Sequence, residues 1–356
     1  MKLIHNFSAG PAALPWAVRE RIAEEFSLPA DHAPSVAEIS HRGARFNDIA
    51  ERLEAAIRRL TGVGDDHHVL LLQGGAHLQF AMVPMNFARG RTAAFTLTGA
   101  WGEKAFAESA RITDTRVVAS GADEDYQDLP ELGHLPADAA YLHYCGNETI
   151  HGVQYPQPPA AGVPLVADLS SEFLSRPYPY ADLGVAYAGA QKNLGVAGLT
   201  VVLVRNDLVE RIPDDLPQYL DYRTWIDSGS MKNTPATFAW FVAAEVCDWI
   251  ETNGGLDALG RRNEAKARRL YQVIDASDFY ANPVADEARS MMNVPFVLAD
   301  DGLTSTFVRE ADAEGMPGLK GHRAVGGLRA SLYNALGMEA VDALVGFMHE
   351  FERRHG

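Results

Sequence analysis

Cysteine is scarce in this chain: Cys145 and Cys247 are the only two among 356 residues, and they share no metal-ligand spacing. That excludes a disulfide-stapled scaffold, gives no basis for a metal site, and makes a reducing compartment, the cytoplasm, the simplest expectation. No apolar run approaches the ~20 residues of a membrane span, and the N-terminus lacks the apolar core of a signal peptide. Positive charge is in deficit, with 31 Lys plus Arg against 47 Asp plus Glu and a net charge of −16. Such a field repels nucleic acid and anionic membranes, so an anionic substrate has to be gathered by a local basic cluster. Neither GxGxxG nor GxxxxGK[ST] occurs, which removes the dinucleotide fingerprint and the P-loop. Internal repeats and low-complexity tracts are absent as well. What is present is ordinary for a globular enzyme, 47% hydrophobic and 22% charged residues, in a length that suits a large domain plus a smaller one.

The chain is organised around VAYAGAQKNLGVAGLTVVLV, residues 185–204. Two short β-branched runs, Val185–Tyr187 and Leu199–Val204, read as buried strands flanking Lys192 among small residues. Either Lys192 lies in a surface loop, or it is a buried amine with a depressed pKa, as Schiff-base chemistry needs. Upstream, VPLVADLSS (163–171) is an apolar run ending in Asp168. An acid at a strand end, one strand before such a lysine, suits pyridoxal phosphate (PLP): the lysine for its aldehyde carbon, the carboxylate to keep its ring nitrogen protonated.

Turn formers in HNFSAGPAALP (5–15) read as a connecting loop or as an arm closing over a site, followed by a helix from Pro15 to about Phe26. Phe46, Ile49, Leu53, Ala56, Ile57 and Leu60 keep helical spacing. His41 and Arg42 stand just before that helix, the less favourable end for positive charge: they are either a solvated helix start or, as that misfit favours, an anion-binding pair. HVLLLQGGAHLQF (68–80) reads as strand, glycine turn and helix, and the helix start near Ala76–His77 is a ready anion site. Trp101, at the head of another helix, is either core or a stacking partner for a flat ring. The strand 139–145 leads into GNETIHG, where Asn147 and Thr149 could cap a turn or donate to a ring hydroxyl or phosphate.

After SGSMKNTPA, a long apolar helix opens at Thr234–Pro235 and stops at Gly254–Gly255, and a charged helix runs from about Leu256 to Ala276. We expect a large domain over 15–254, a small one over 255–356, and residues 1–14 as an arm packing near the site. The small unit reads as strand (Asn293–Leu298), helix (Leu303–Glu314), strand (Leu328–Tyr333) and helix (Met338–Arg354). Within it, GLKGHRAVGGLRAS (318–331) gathers Lys320, His322, Arg323 and Arg329 between glycines, an anion site in which arginine can grip a carboxylate with two parallel bonds.

Together, NFSAGP (6–11), SHRG (40–43), HYCGNETIHG (143–152), YAGAQKNLG (187–195), NTP (233–235) and KGHRAVGGLRAS (320–331) resemble the phosphoserine aminotransferases over essentially the whole chain. The resemblance implies an α/β chain of PLP-dependent transferase fold type I, with a mostly parallel central sheet in the large domain and a small C-terminal α/β domain. It implies PLP on Lys192, Asp168 on the ring nitrogen, Trp101 stacked on the ring, Thr149 and Gln191 near the ring hydroxyl or phosphate, and Ala76–His77 over the phosphate. Asn233 and Thr234 would reach the phosphate of a neighbouring subunit's cofactor in a homodimer. Arg329 would hold the substrate α-carboxylate, and His41, Arg42, His322 and Arg323 would gather the distal phosphate or glutamate's side-chain carboxylate. The expected reaction moves an amino group between L-glutamate and 3-phosphohydroxypyruvate in serine biosynthesis. The phosphorylated hydroxythreonine of pyridoxine biosynthesis stays open as a second substrate. Two departures stand out: Ala76–His77 where the family often has Gly-Arg, which removes one permanent cation from the anion pocket, and Ala9 where some members have a second Ser. Competing expectations are a cysteine desulfurase, an alanine–glyoxylate aminotransferase, and a PLP-binding protein without turnover.

Overall fold

The computed structural model describes residues 3–27 and 33–356; residues 1 and 2 of the expected arm lie outside the described residues. Seven strands build the main sheet: β1 (His67–Gln73), β2 (Thr92–Leu97), β3 (Thr115–Ser120), β4 (Ala139–Cys145), β5 (Leu165–Asp168), β6 (Val185–Gly189) and β7 (Leu199–Arg205). Their order is β1-β7-β6-β5-β4-β2-β3. Only β7 runs against the others, pairing antiparallel with both β1 and β6.

The central strands are largely apolar because both faces are covered, whereas the edge strand β3 is partly exposed. Alternate residues serve opposite cores: Val69, Leu71, Val201 and Leu203 pack on one face, and Leu70, Leu72, Val202 and Val204 on the other. The helix Ala44–Thr61 buries the predicted stripe of Phe46, Ile49, Leu53, Ala56 and Ile57, and lies against the helix Thr237–Thr252 through Phe46 and Trp240, whose rings are 5.5 Å apart.

A second sheet follows, antiparallel throughout, in the order β10-β9-β8: β8 (Tyr280–Ala281), β9 (Asn293–Leu298) and β10 (Leu328–Ser331). It has its own core. The helix Gly255–Asp275 spans the two: Leu256 and Leu259 belong to the first core, and Ala267, Leu270 and Ile274 to the second. The N-terminal segment also joins both. Phe7 is buried in the second core, and His5 and Phe7 N–H groups donate to Gly315 and Pro317 at 2.8 and 2.9 Å. Five residues on, Ala12 N–H donates to the carbonyl of Gln191 at 2.9 Å.

Candidate active site

The carboxyl ends of β1, β2, β4, β5 and β6 share one edge of the sheet, where ligands bind in folds of this kind. Each end delivers a residue to a cavity of about 250 Å³. Gly75, Ala76 and His77 follow β1, Trp101 follows β2, Asn147 and Thr149 follow β4, Asp168 ends β5, and Gln191 and Lys192 follow β6. Gly74, at φ +99, makes the turn that a side chain would strain. Ala9 and Gly10 of the N-terminal segment close one side, so it is an arm against the cavity as well as a connection, and Arg329 faces in from β10 and His322 from the loop before it.

Lys192 Nζ donates to Thr149 Oγ1 at 2.6 Å and stands 5.7 Å from the Trp101 ring centroid. Burial pushes its pKa down, against the pull of Asp168. Asp168 is buried, and burial raises its pKa, opposed first by hydrogen bonds from Ser170 and then by the charges of Lys192 and His77. The Ser170 N–H donates to Asp168 Oδ1 at 2.9 Å. Arg329 Nη1 donates to the Thr149 carbonyl at 3.1 Å, while its Nε is buried without a partner among the described residues. Trp101 Nε1 is in the same condition, and unmet buried donors beside a cavity point to a bound polar group. The His77 ring meets the indole edge-on, with centroids 5.2 Å apart.

Asn147 lines the cavity but is committed elsewhere, donating to Ser171 Oγ at 2.7 Å and Asn293 Oδ1 at 2.8 Å. Cys145 also lines it, with a thiol pKa pushed well up by burial. Five expected site residues do not line the cavity of their own chain. Arg323 is exposed one residue beyond His322, and Lys320 of the same basic cluster is exposed too. His41 and Arg42 lie in the turn before the helix Ala44–Thr61. Asn233 and Thr234 are exposed, on a loop held by Gln73, whose side-chain amide donates to both. Two further residues support the site: Ser170 carries a sequence signal, a small hydroxyl residue shortly after the strand-end acid, whereas Glu148, between Asn147 and Thr149, carries none.

The fold and site first define a class: an α/β enzyme in which a buried amine, a buried carboxylate and an arginine converge on one small cavity. The family model for class-V aminotransferases matches residues 4–344, and the chain belongs to that family. A phosphoserine aminotransferase of Laribacter hongkongensis is 50% identical over 357 residues, covering 99% of each chain. Among solved structures, a phosphoserine aminotransferase from Bacillus circulans subsp. alkalophilus is similar at TM-score 0.96 and 46% identity, covering 99% of each chain. A PLP-bound phosphoserine aminotransferase from Trichomonas vaginalis is similar at TM-score 0.93 and 39% identity, covering 98% of this chain and 100% of that one.

Proposed function

We propose that the protein is a phosphoserine aminotransferase that uses pyridoxal 5′-phosphate to exchange an amino group between L-glutamate and 3-phosphohydroxypyruvate, giving 2-oxoglutarate and O-phospho-L-serine. The observation that carries the reading is the presence of Lys192 and Asp168 on the wall of one small cavity, with burial opposing the charge of each. Full-length likeness to phosphoserine aminotransferases supports the choice of substrates. The two buried free thiols suit a reducing cytoplasm.

The residues present fit the cofactor. Lys192 is the one lysine among the described cavity residues and would carry the aldehyde. Asp168 would accept from a protonated ring nitrogen, Trp101 offers an aromatic face, Thr149 and Gln191 a hydroxyl and an amide, and Gly75–His77 the N-terminus of the helix His77–Phe87 for the phosphate. When bound, PLP supplies the sink for the electron pair released at the amino acid's Cα.

The protein does the rest. Arg329 grips the α-carboxylate that both amino acids present, its unpartnered Nε free for that purpose. Lys192 Nζ would take the Cα proton and hand it, within the same half-reaction, to the carbon of the cofactor that had been the aldehyde, running the transfer in reverse in the opposite half-reaction; its lowered pKa makes the neutral amine available at a lower pH than an exposed lysine allows. The Thr149 hydroxyl holds Nζ in place between these events. His322 and, from the rim, Arg323 draw in the distal anionic group. The arm residues Ala9 and Gly10 keep water out on one side. Asn233, Thr234, His41 and Arg42 act at the cavity of the partner in a homodimer, since none of them lines its own. A desulfurase reading would need a mobile thiolate, whereas Cys145 is buried at the end of β4 with its pKa driven up.

The test is spectroscopic. Adding glutamate or O-phosphoserine to the purified holoprotein should shift the cofactor absorption, and alanine should not. A response to alanine without one to phosphoserine would favour alanine–glyoxylate exchange. A silent spectrum with every donor would leave only cofactor binding.

A further inference from the structure

The first N–H groups of the helix Ala100–Ser109 have no acceptor within the helix, and its N-cap, Gly99, has no side chain to offer one. They are met from about fifty residues away. Glu148 Oε2 accepts from the Trp101 N–H at 3.1 Å, and Oε1 from the Gly102 N–H at 2.8 Å. His151 Nδ1 accepts from Ala100 N–H at 3.4 Å. The Glu148 carboxyl group lies directly on the bare Cα of Gly99: a Cβ there would stand 2.6 Å from Glu148 Cδ and from His151 Nδ1.

Glu148 is wholly buried, at 0% exposure. A Ser or Asp at position 99 would cap the helix locally without burying a carboxylate far from its own strand. The distant carboxylate does something a local cap does not: it ties the backbone of Trp101 to the residue preceding Thr149. Thr149 in turn meets Lys192 Nζ through its hydroxyl and Arg329 through its carbonyl. The indole lacks any other polar anchor, because its Nε1 has no partner among the described residues. Its orientation therefore rests on its backbone, on the His77 ring at 5.2 Å and on Lys104, whose Nζ lies 4.1 Å from its centroid.

We propose that Glu148 is a positioning residue that fixes the plane of the Trp101 indole over the cavity by holding the Trp101 and Gly102 amides to the loop that carries Thr149. The assignment rests on the reading of Trp101 as the stacking partner of the cofactor ring. A buried carboxyl with two N–H donors on separate oxygens is a directional support, which an apolar side chain of equal size cannot replace.

The experiment compares Glu148→Ala, Glu148→Gln, Gly99→Ala and Trp101→Ala with the double variant Glu148→Ala/Trp101→Ala. The readouts are PLP affinity of the apoprotein, visible circular dichroism of the holoprotein, and amide hydrogen exchange at residues 101 and 102. Trp101→Ala should weaken PLP binding by about tenfold, the upper end of what an aromatic stack contributes. Glu148→Ala and Gly99→Ala should each approach that loss, shrink the dichroic band and speed exchange at both amides, with Glu148→Gln in between. Adding Glu148→Ala to Trp101→Ala should cost no further affinity, since both act through one ring. A Glu148 that only stabilises the fold would lower Tm while leaving affinity and dichroism unmoved, or would lose affinity additively in the double variant; either result overturns the assignment. If Trp101→Ala binds PLP as the native protein does, the stacking reading falls and this assignment with it. Should Glu148→Ala fail to fold, Gly99→Ala and Glu148→Gln carry the same comparison.

Discussion

With Arg329 on the α-carboxylate as proposed, both amino acids present it the same group, so its loss should be felt equally by both. Arg329→Ala is expected to lower kcat/KM for glutamate and for phosphoserine alike, by roughly 10- to 100-fold, the range of a charged hydrogen bond. Arg323→Ala, at an exposed rim position, should raise KM for the phosphorylated substrate and spare glutamate; parallel losses in steady-state kinetics would refute that division. Glu148 makes a different kind of prediction. Burial pushes its pKa up to about 7 from an ordinary value of 4.5. Between those values the folded protein keeps a proton that the unfolded chain has released. Its stabilising share is thus complete below pH 4.5 and lost as pH rises through about 7, a change of about 3 kcal/mol. The Gly102 and Trp101 N–H groups, and then Lys192, favour its ionisation, while Asp168 opposes it. Glu148→Gln should flatten this part of the Tm–pH curve, and an unchanged slope between pH 5 and 8 would show that the group does not titrate there.

At the scale of elements, the central strands were legible because a strand buried on both faces has to be apolar from end to end: the expected 139–145 is β4 itself, and Val185–Tyr187 is extended by two residues to Gly189, whereas the partly exposed β3 and the two-residue β8 carry no such run. The amphipathic helices were legible for the same physical reason. Contacts made between distant parts of the chain were not, and Glu148 capping a helix from another strand's loop leaves no local mark. Nor did spacing reveal that His41 and Arg42 would stand outside the cavity of their own chain, whereas for Asn233 and Thr234 the family resemblance already implied a place at a neighbouring subunit's site. Lys266 is another silent case, read only as part of a charged helix. It is buried, and its Nζ donates to the carbonyls of Leu332, Tyr333 and Leu336 at 2.8, 2.9 and 2.8 Å. It therefore pins the segment that follows β10, the strand bearing Arg329. Lys266→Met should orphan three buried carbonyls and cost about 3 kcal/mol, seen as a Tm drop of roughly 5 °C or more. A variant as stable as the native protein would mean that the segment finds other donors.

For the whole molecule, the cluster of bases at the cavity works against a net charge of −16. The homodimer reading has a direct consequence. A mixed dimer of one Lys192→Ala subunit and one Arg42→Ala subunit should regain about half the native activity, because a twofold pair then contains one complete site. If Arg42 served its own chain, both sites would be defective and the mixed dimer would be as inactive as its parents.

Residues 7–12 belong to two bodies at once. Phe7 is sunk in the smaller core, Tyr333 OH donates to the Ala9 carbonyl at 2.9 Å, and Ala12 is fastened beside Lys192. The leading end of the chain is therefore a seam sewn across the join between them. Unpicking it by proteolysis or by a bulky tag would register twice, as a loosened hinge and as a leaking reaction chamber, without touching a single reacting atom.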